Sequence, residues 1–142
     1  MDRLWIEALF AEDATPLDAA SLAPLSPEVL ASARLGLNPS LRMASFDFAA
    51  PDLWRAVRAG ETALELGPDP QTLLIVRHAG IVLSRNLHAG EAAFMRAVQQ
   101  GETLGRAAER AARAKPDAAL ANLFAALIAD GVFTQLNLDI PR

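Results

Sequence analysis

The chain has 142 residues with a formal charge of −4, and 52% of them are apolar, enough for one domain with a core. The acidic balance argues against a general polyanion binder, the apolar content argues against disorder, and the absence of cysteine excludes disulfides and thiolate metal sites. No apolar run approaches the roughly 18 residues needed to cross a bilayer, and Asp2 and Glu7 interrupt any signal-like start, so a cytoplasmic location is expected.

Leu4, Trp5, Ile6, Ala8, Leu9 and Phe10 mark a short helix that stops near Pro16 and is too short to persist without packing. Ser26-Pro27-Glu28 reads as an N-cap, a first-turn proline and a favourable acid, opening a helix that runs to Ala33. Leu35, Leu37, Leu41 and Met43 alternate with polar or small residues, a strand pattern broken at Pro39 and continued by Phe46 and Phe48. Pro51-Asp52-Leu53-Trp54 opens a helical turn, and residues 60–70 read as a loop. Two β-branched runs, 72–77 and 81–85, flank His78-Ala79-Gly80 and make a hairpin.

Three helices should follow. The first, Ala92 to Gln99, buries Phe94, Met95 and Val98 and is stopped by Gly101. The second, Leu104 to Ala114, is capped by Thr103. The third, 118–130, is capped by Asp117 and places Leu120, Leu123, Phe124, Leu127 and Ile128 on one face. Gly131 ends it, and Val132-Phe133 extend beyond. The expected fold class is α+β: a small antiparallel sheet and hairpin, then three helices, a winged-helix-like order. Residues 1–33 form an N-terminal helical segment and linker, and 34–142 the main domain.

Catalytic chemistry finds little footing. His78 and His88 are the only histidines, placed at a turn and at a helix start, where solvated residues are the ordinary reading. Glu61 and Glu65 are four apart in a loop with nothing to hold them as an acid–base pair. No phosphate loop, dinucleotide fingerprint or nucleophile elbow is present, so neither enzyme activity nor a cofactor is expected. Arg106, Arg110 and Arg113 form a basic stripe with Lys115 just beyond. Its plain reading is a solvated face with Glu102–Arg106 and Glu109–Arg113 pairs. Its functional reading is phosphate contact by a winged-helix DNA-binding regulator, the alternative function. Against that, helix 118–130 carries no Arg or Lys with which to read a major groove.

The stronger reading is peptide capture by β-augmentation, in which a sheet edge supplies main-chain bonds and pockets supply specificity. Strand 81–87 is the candidate edge, with Val82, Leu83, Ser84 and Arg85 as contacts. Ala121, Asn122 and Ala125 form a small-residue flank on the last helix that leaves room for an added strand. Arg77 and Arg85 are expected to meet acidic peptide residues, or otherwise to protect the edge.

The run "LWIEALFAEDATPLDAASLAPLSPEVLASARLGLNPSLRMASF", followed by "DLWRAV", resembles the second half of the HvfC/BufC family. The likeness continues through "LLIVRHAGIVLSRNLHAGEAAFMRAVQQGETLGRAAERA" to "LFAALIADGVF". It rests on Leu, Pro, Trp and Gly positions rather than on a catalytic signature. These proteins are similar to the methanobactin partner protein MbnC and often carry a DNA-binding label. The resemblance implies a non-catalytic partner that holds a ribosomally made precursor (leader) peptide for a multinuclear-iron TIM-barrel enzyme. It places the leader groove between strand 81–87 and helix 118–130. It also implies a preceding helical domain, of which the N-terminal helix here is the last. Phe46-Asp47-Phe48 replaces a Tyr-Pro-Val-like segment of the family. Leu4, Trp5, Leu9 and Phe10 would then lack neighbours, and are expected either to self-associate or to dock on the hairpin domain.

Overall fold

The computed structural model describes residues 2–47, 49–60, 70–117 and 119–138. Helix α1 (Asp2–Phe10) and a 3₁₀ turn (Ala19–Leu22) lead to α2 (Pro27–Ser32). Strands β1 (Arg34–Leu37) and β2 (Arg42–Phe46) precede α3 (Ala50–Arg58). The hairpin strands β3 (Gln71–His78) and β4 (Ile81–Leu87) then lead into α4 (Ala89–Gln99), α5 (Leu104–Ala114), α6 (Leu120–Ala129) and β5 (Phe133–Asn137). The fold class is mixed α+β. Glu61 and Glu65, most of the 60–70 loop, and Phe48 lie outside the described residues.

The strands form two antiparallel sheets, β1–β5 and β2–β3–β4. The turn between β3 and β4 is the two residues Ala79 and Gly80, both at positive φ (52° and 80°). That is the backbone of a type I′ turn, whose twist matches the strands it joins. The strand reading that breaks at Pro39 is explained by Asn38. Its buried side chain donates to the Gly131 and Arg77 carbonyls (3.0 and 3.2 Å) and accepts from the Ser40 N–H and hydroxyl (2.9 and 2.8 Å). One amide thus pins the β1–β2 turn to the end of β3 and to the α6–β5 corner, satisfying groups that burial would otherwise orphan.

The central sheet is covered on both faces. One face sends Leu74, Val76 and Leu87 into the main core with Met95, Leu123 and Leu127. Phe94, Phe124 and Phe133 meet there with ring centroids 5.7–6.3 Å apart, in tilted and edge-to-face geometry. The other face sends Leu73 and Ile75 against Ala8, with Leu4, Trp5, Trp54 and Val82 packed around them. The expected docking of the N-terminal helix on the hairpin is therefore found, with Ala8 as its buried contact. Phe10 stays 80% exposed. Arg58 lies over both Trp5 and Trp54 (5.0 and 5.3 Å to the ring centres), and Trp54 Nε1 donates to Asp2 at 2.6 Å. The turn expected at Pro51 grows into the nine-residue α3, because its apolar side has this second face to pack on.

Caps correct two sequence readings. Helix α4 begins three residues earlier than expected, at Ala89, because His88 caps it. Helix α6 begins at Leu120 after Ala119, with no side-chain cap, so Asp117 does not perform the role expected of it. Asp117 belongs to the preceding turn, short of the residue next to the helix. Thr103 caps α5 and Ser26 caps α2 as expected.

Candidate functional site: the β4 edge and its groove

Strand β4 pairs only with β3, so its outer edge carries no sheet partner among the described residues. In a two-residue hairpin the closing pair, here His78 and Ile81, exchanges both main-chain bonds, and bonded and non-bonded pairs then alternate. Val82, Ser84 and Asn86 fall on the non-bonded positions, so their N–H and C=O groups point outward. Val82 packs its side chain toward the α1 face. Leu83 and Arg85 point the other way, toward α6.

Beside this edge lies an apolar hollow of about 190 Å³, lined by Leu74, Val76, Leu83, Ser84, Arg85 and Asp130. Leu83, 40% exposed, forms its outer wall. Arg85 closes one end. Its Nε donates to Asp130 at 2.8 Å, and its two terminal nitrogens donate to the Glu91 carboxylate at 3.0 and 2.5 Å. Beyond Arg85 the groove widens into a polar hollow of about 360 Å³ that includes His88, Lys115, Asp117 and Asn122.

The electrostatics follow from this clamp. Burial pushes the Glu91 carboxyl up, but Arg85, by hydrogen bond and by charge, outweighs it and holds Glu91 below its ordinary value. Glu91 raises the Arg85 guanidinium in return, with Asp130 assisting. His88 and Glu91 complete a reciprocal capping box: the imidazole Nδ1 accepts from the Glu91 N–H at 3.2 Å, and the Glu91 carboxylate accepts from the His88 N–H at 3.3 Å. Sequence reasoning placed His88 at a helix start as a solvated residue, and a His at N-cap is a weak signal for what it does here. His78 is half-buried, its ring held against Gly131, where a Cβ would lie 2.6 Å from Nδ1.

The expected contact residues divide. Val82, Leu83, Ser84 and Arg85 sit on the edge or its hollow, and Asn122 lies in the polar extension with Ala126 beside it. Ala121 lines a separate apolar hollow between α5 and α6 with Leu104 and Ala108, and Ala125 is exposed. One helical turn carries these small residues onto different sides.

The arginine readings need correction. Arg85 is engaged by Glu91 and Asp130. Arg77 reaches back instead, donating to the main-chain carbonyls of Ala8, Leu9 and Ala11 and to Asp13, which fastens the end of α1. Such carbonyls lack helical partners and accept a guanidinium readily. In the stripe, Glu102 binds Arg110 through Nε and Nη2 (2.6 and 2.7 Å), in place of Arg106. Glu102 precedes the Thr103 cap and lies outside the helical register that i,i+4 counting assumes. No Glu109–Arg113 ion pair forms among the described residues.

Among the described residues, no helix is long and apolar enough to cross a membrane, and no three acidic or histidine side chains cluster as a metal site would require. Compared with protein-family models, with curated proteins and with solved structures, the chain matches none.

Proposed function

We propose that this protein is a non-catalytic, cytoplasmic peptide-binding partner that captures an extended precursor segment as a fourth strand on β4. The observation that carries the reading is the unpaired edge at Val82, Ser84 and Asn86 running directly beside the apolar hollow under Leu83. Main-chain bonds along the edge supply affinity for any extended chain, and the hollow selects an apolar side chain. The β3–β4 hairpin followed by α4, α5 and α6 supports a winged-helix-like module. The resemblance to the HvfC/BufC family supplies the partners: a leader peptide, and a multinuclear-iron TIM-barrel enzyme to which it is presented. DNA binding through α6 is less favoured, since Leu120–Ala129 holds no basic residue.

The test uses proline. The Ser84 N–H points away from β3, so Ser84→Pro leaves the hairpin ladder whole while removing a donor from the outer edge. The protein is co-expressed with a multinuclear-iron TIM-barrel enzyme and a precursor peptide of the HvfC/BufC type, and the purified complex is weighed. Wild type is expected to retain the peptide, and Ser84→Pro to lose it with an unchanged melting temperature. Equal retention by the folded variant would rule the β4 edge out.

A further inference from the structure

We propose that the cleft between α4 and α5 is a second docking site, for a short acidic segment of a partner polypeptide. The cleft holds about 430 Å³ and is lined by the small residues Ala93, Ala97 and Ala114, by Gln100, and by Arg96, Arg110 and Arg113. It shares no lining residue with the β4 groove, so this site does not depend on the peptide-capture reading.

Counting donors shows what the rim offers. Arg113 has no hydrogen-bond or carboxylate partner among the described residues, so its guanidinium is wholly available. Arg96 uses one terminal nitrogen on the Ser45 and Thr72 hydroxyls (2.9 and 3.4 Å) and keeps the others. Arg110 keeps one terminal nitrogen. No carboxylate is among the residues lining the cleft, and Glu102 reaches its rim only through Arg110.

The favoured anion is a carboxylate, because the molecule already shows one seated at this rim. Glu102 accepts from two nitrogens of Arg110 in the side-on fork geometry that matches guanidinium to carboxylate. The three alanines leave room for a main chain to approach between the longer Gln100 and arginine side chains. The formal charge of −4 limits the ligand's length, since a long polyanion would extend past this patch onto an acidic surface.

Fluorescence anisotropy of the full chain tests the site with a labelled peptide alternating Glu and Ala. A peptide with Gln in place of Glu and a labelled DNA duplex serve as comparisons. The Glu peptide is expected to bind, to weaken as salt rises, and to lose about fivefold or more in affinity with Arg113→Glu. Arg113 is exposed and unpaired, so that variant should fold, and Arg96→Gln should weaken binding in the same direction. Ser84→Pro should leave it unchanged. No binding at millimolar peptide, equal binding of the Gln peptide, or indifference to Arg113→Glu would each overturn the proposal. A duplex that binds more tightly than the Glu peptide would overturn it in favour of nucleic acid.

Discussion

Arg85 joins β4, the start of α4 and the end of α6 through a single side chain. Glu91 is only 4% exposed, so it depends on that arginine to remain charged. Replacing Arg85 with Met should cost about 2–3 kcal/mol at neutral pH, since a buried carboxylate loses its charged partner. The pH dependence gives this loss a signature. In the wild type Glu91 is held below its ordinary 4.5, so its contribution is present above that value and is lost as pH falls through the folded pKa. In Arg85→Met only the His88 N–H and the His88 charge are left to oppose burial, so Glu91 loses most of the contribution it makes above that value. Urea melts at pH 7 and pH 4 should therefore show the gap between the two proteins shrinking on acidification. A gap that is constant across this range would mean that Arg85 acts by packing alone. The same residue was legible in the sequence as a basic group flanking a strand. Its partners were not, because Asp130 lies 45 positions away.

Among the elements, the hairpin is the one whose local chemistry and tertiary role agree most closely. Gly80 accepts positive φ without strain, whereas Ala79 holds φ 52° with a Cβ in place. Asparagine tolerates that conformation better and leads the preference at this turn position. Ala79→Asn should stabilise the protein by about 0.5–1 kcal/mol, read from the denaturation midpoint. A lower midpoint would show that the turn is held by its surroundings and not by its own conformational preference. The end of α4 and the whole of α5 were also legible from Gly101 and Thr103, and Gly131 marked the start of the extended segment that becomes strand β5. The start of α6 was not: Asp117 is the better capping residue, yet the helix begins where Leu120 first reaches the core. Packing outweighed a cap whose usual worth is about 1 kcal/mol.

For the whole molecule, the sheet's second face is the decisive feature. Leu73 and Ile75 are fully buried only because α1 and α3 lie across them. Deleting residues 1–12 should expose part of both side chains, leaving only Phe46, Trp54 and Val82 against them, at a cost of up to about 1.5–3 kcal/mol each, and strip Arg77 of its carbonyl acceptors. Sedimentation at rising concentration is expected to show self-association of the truncated chain, with a lowered denaturation midpoint. A monomer of unchanged stability would show that α1 contributes nothing to the core.

The sequence alone determined most of the element types, the presence of the hairpin, the position of β4 ahead of the helices and the lack of basic residues on α6. All of these rest on local period, turn chemistry and composition. The hairpin's register, with His78 in β3 opposite Ile81 and not in the turn, came from the structure. Only the tertiary structure decided that Arg77 and Arg85 are spent on intramolecular partners and that Ala121 and Asn122 face different hollows. It alone placed Asn38 as the pin between the sheets and brought Arg96 across from α4 to face Arg110 and Arg113. Charged and polar side chains take their partners from whatever the fold brings near, often many residues away. Apolar periodicity is written along the chain itself, which is why the scaffold could be read in advance and the wiring of its site could not.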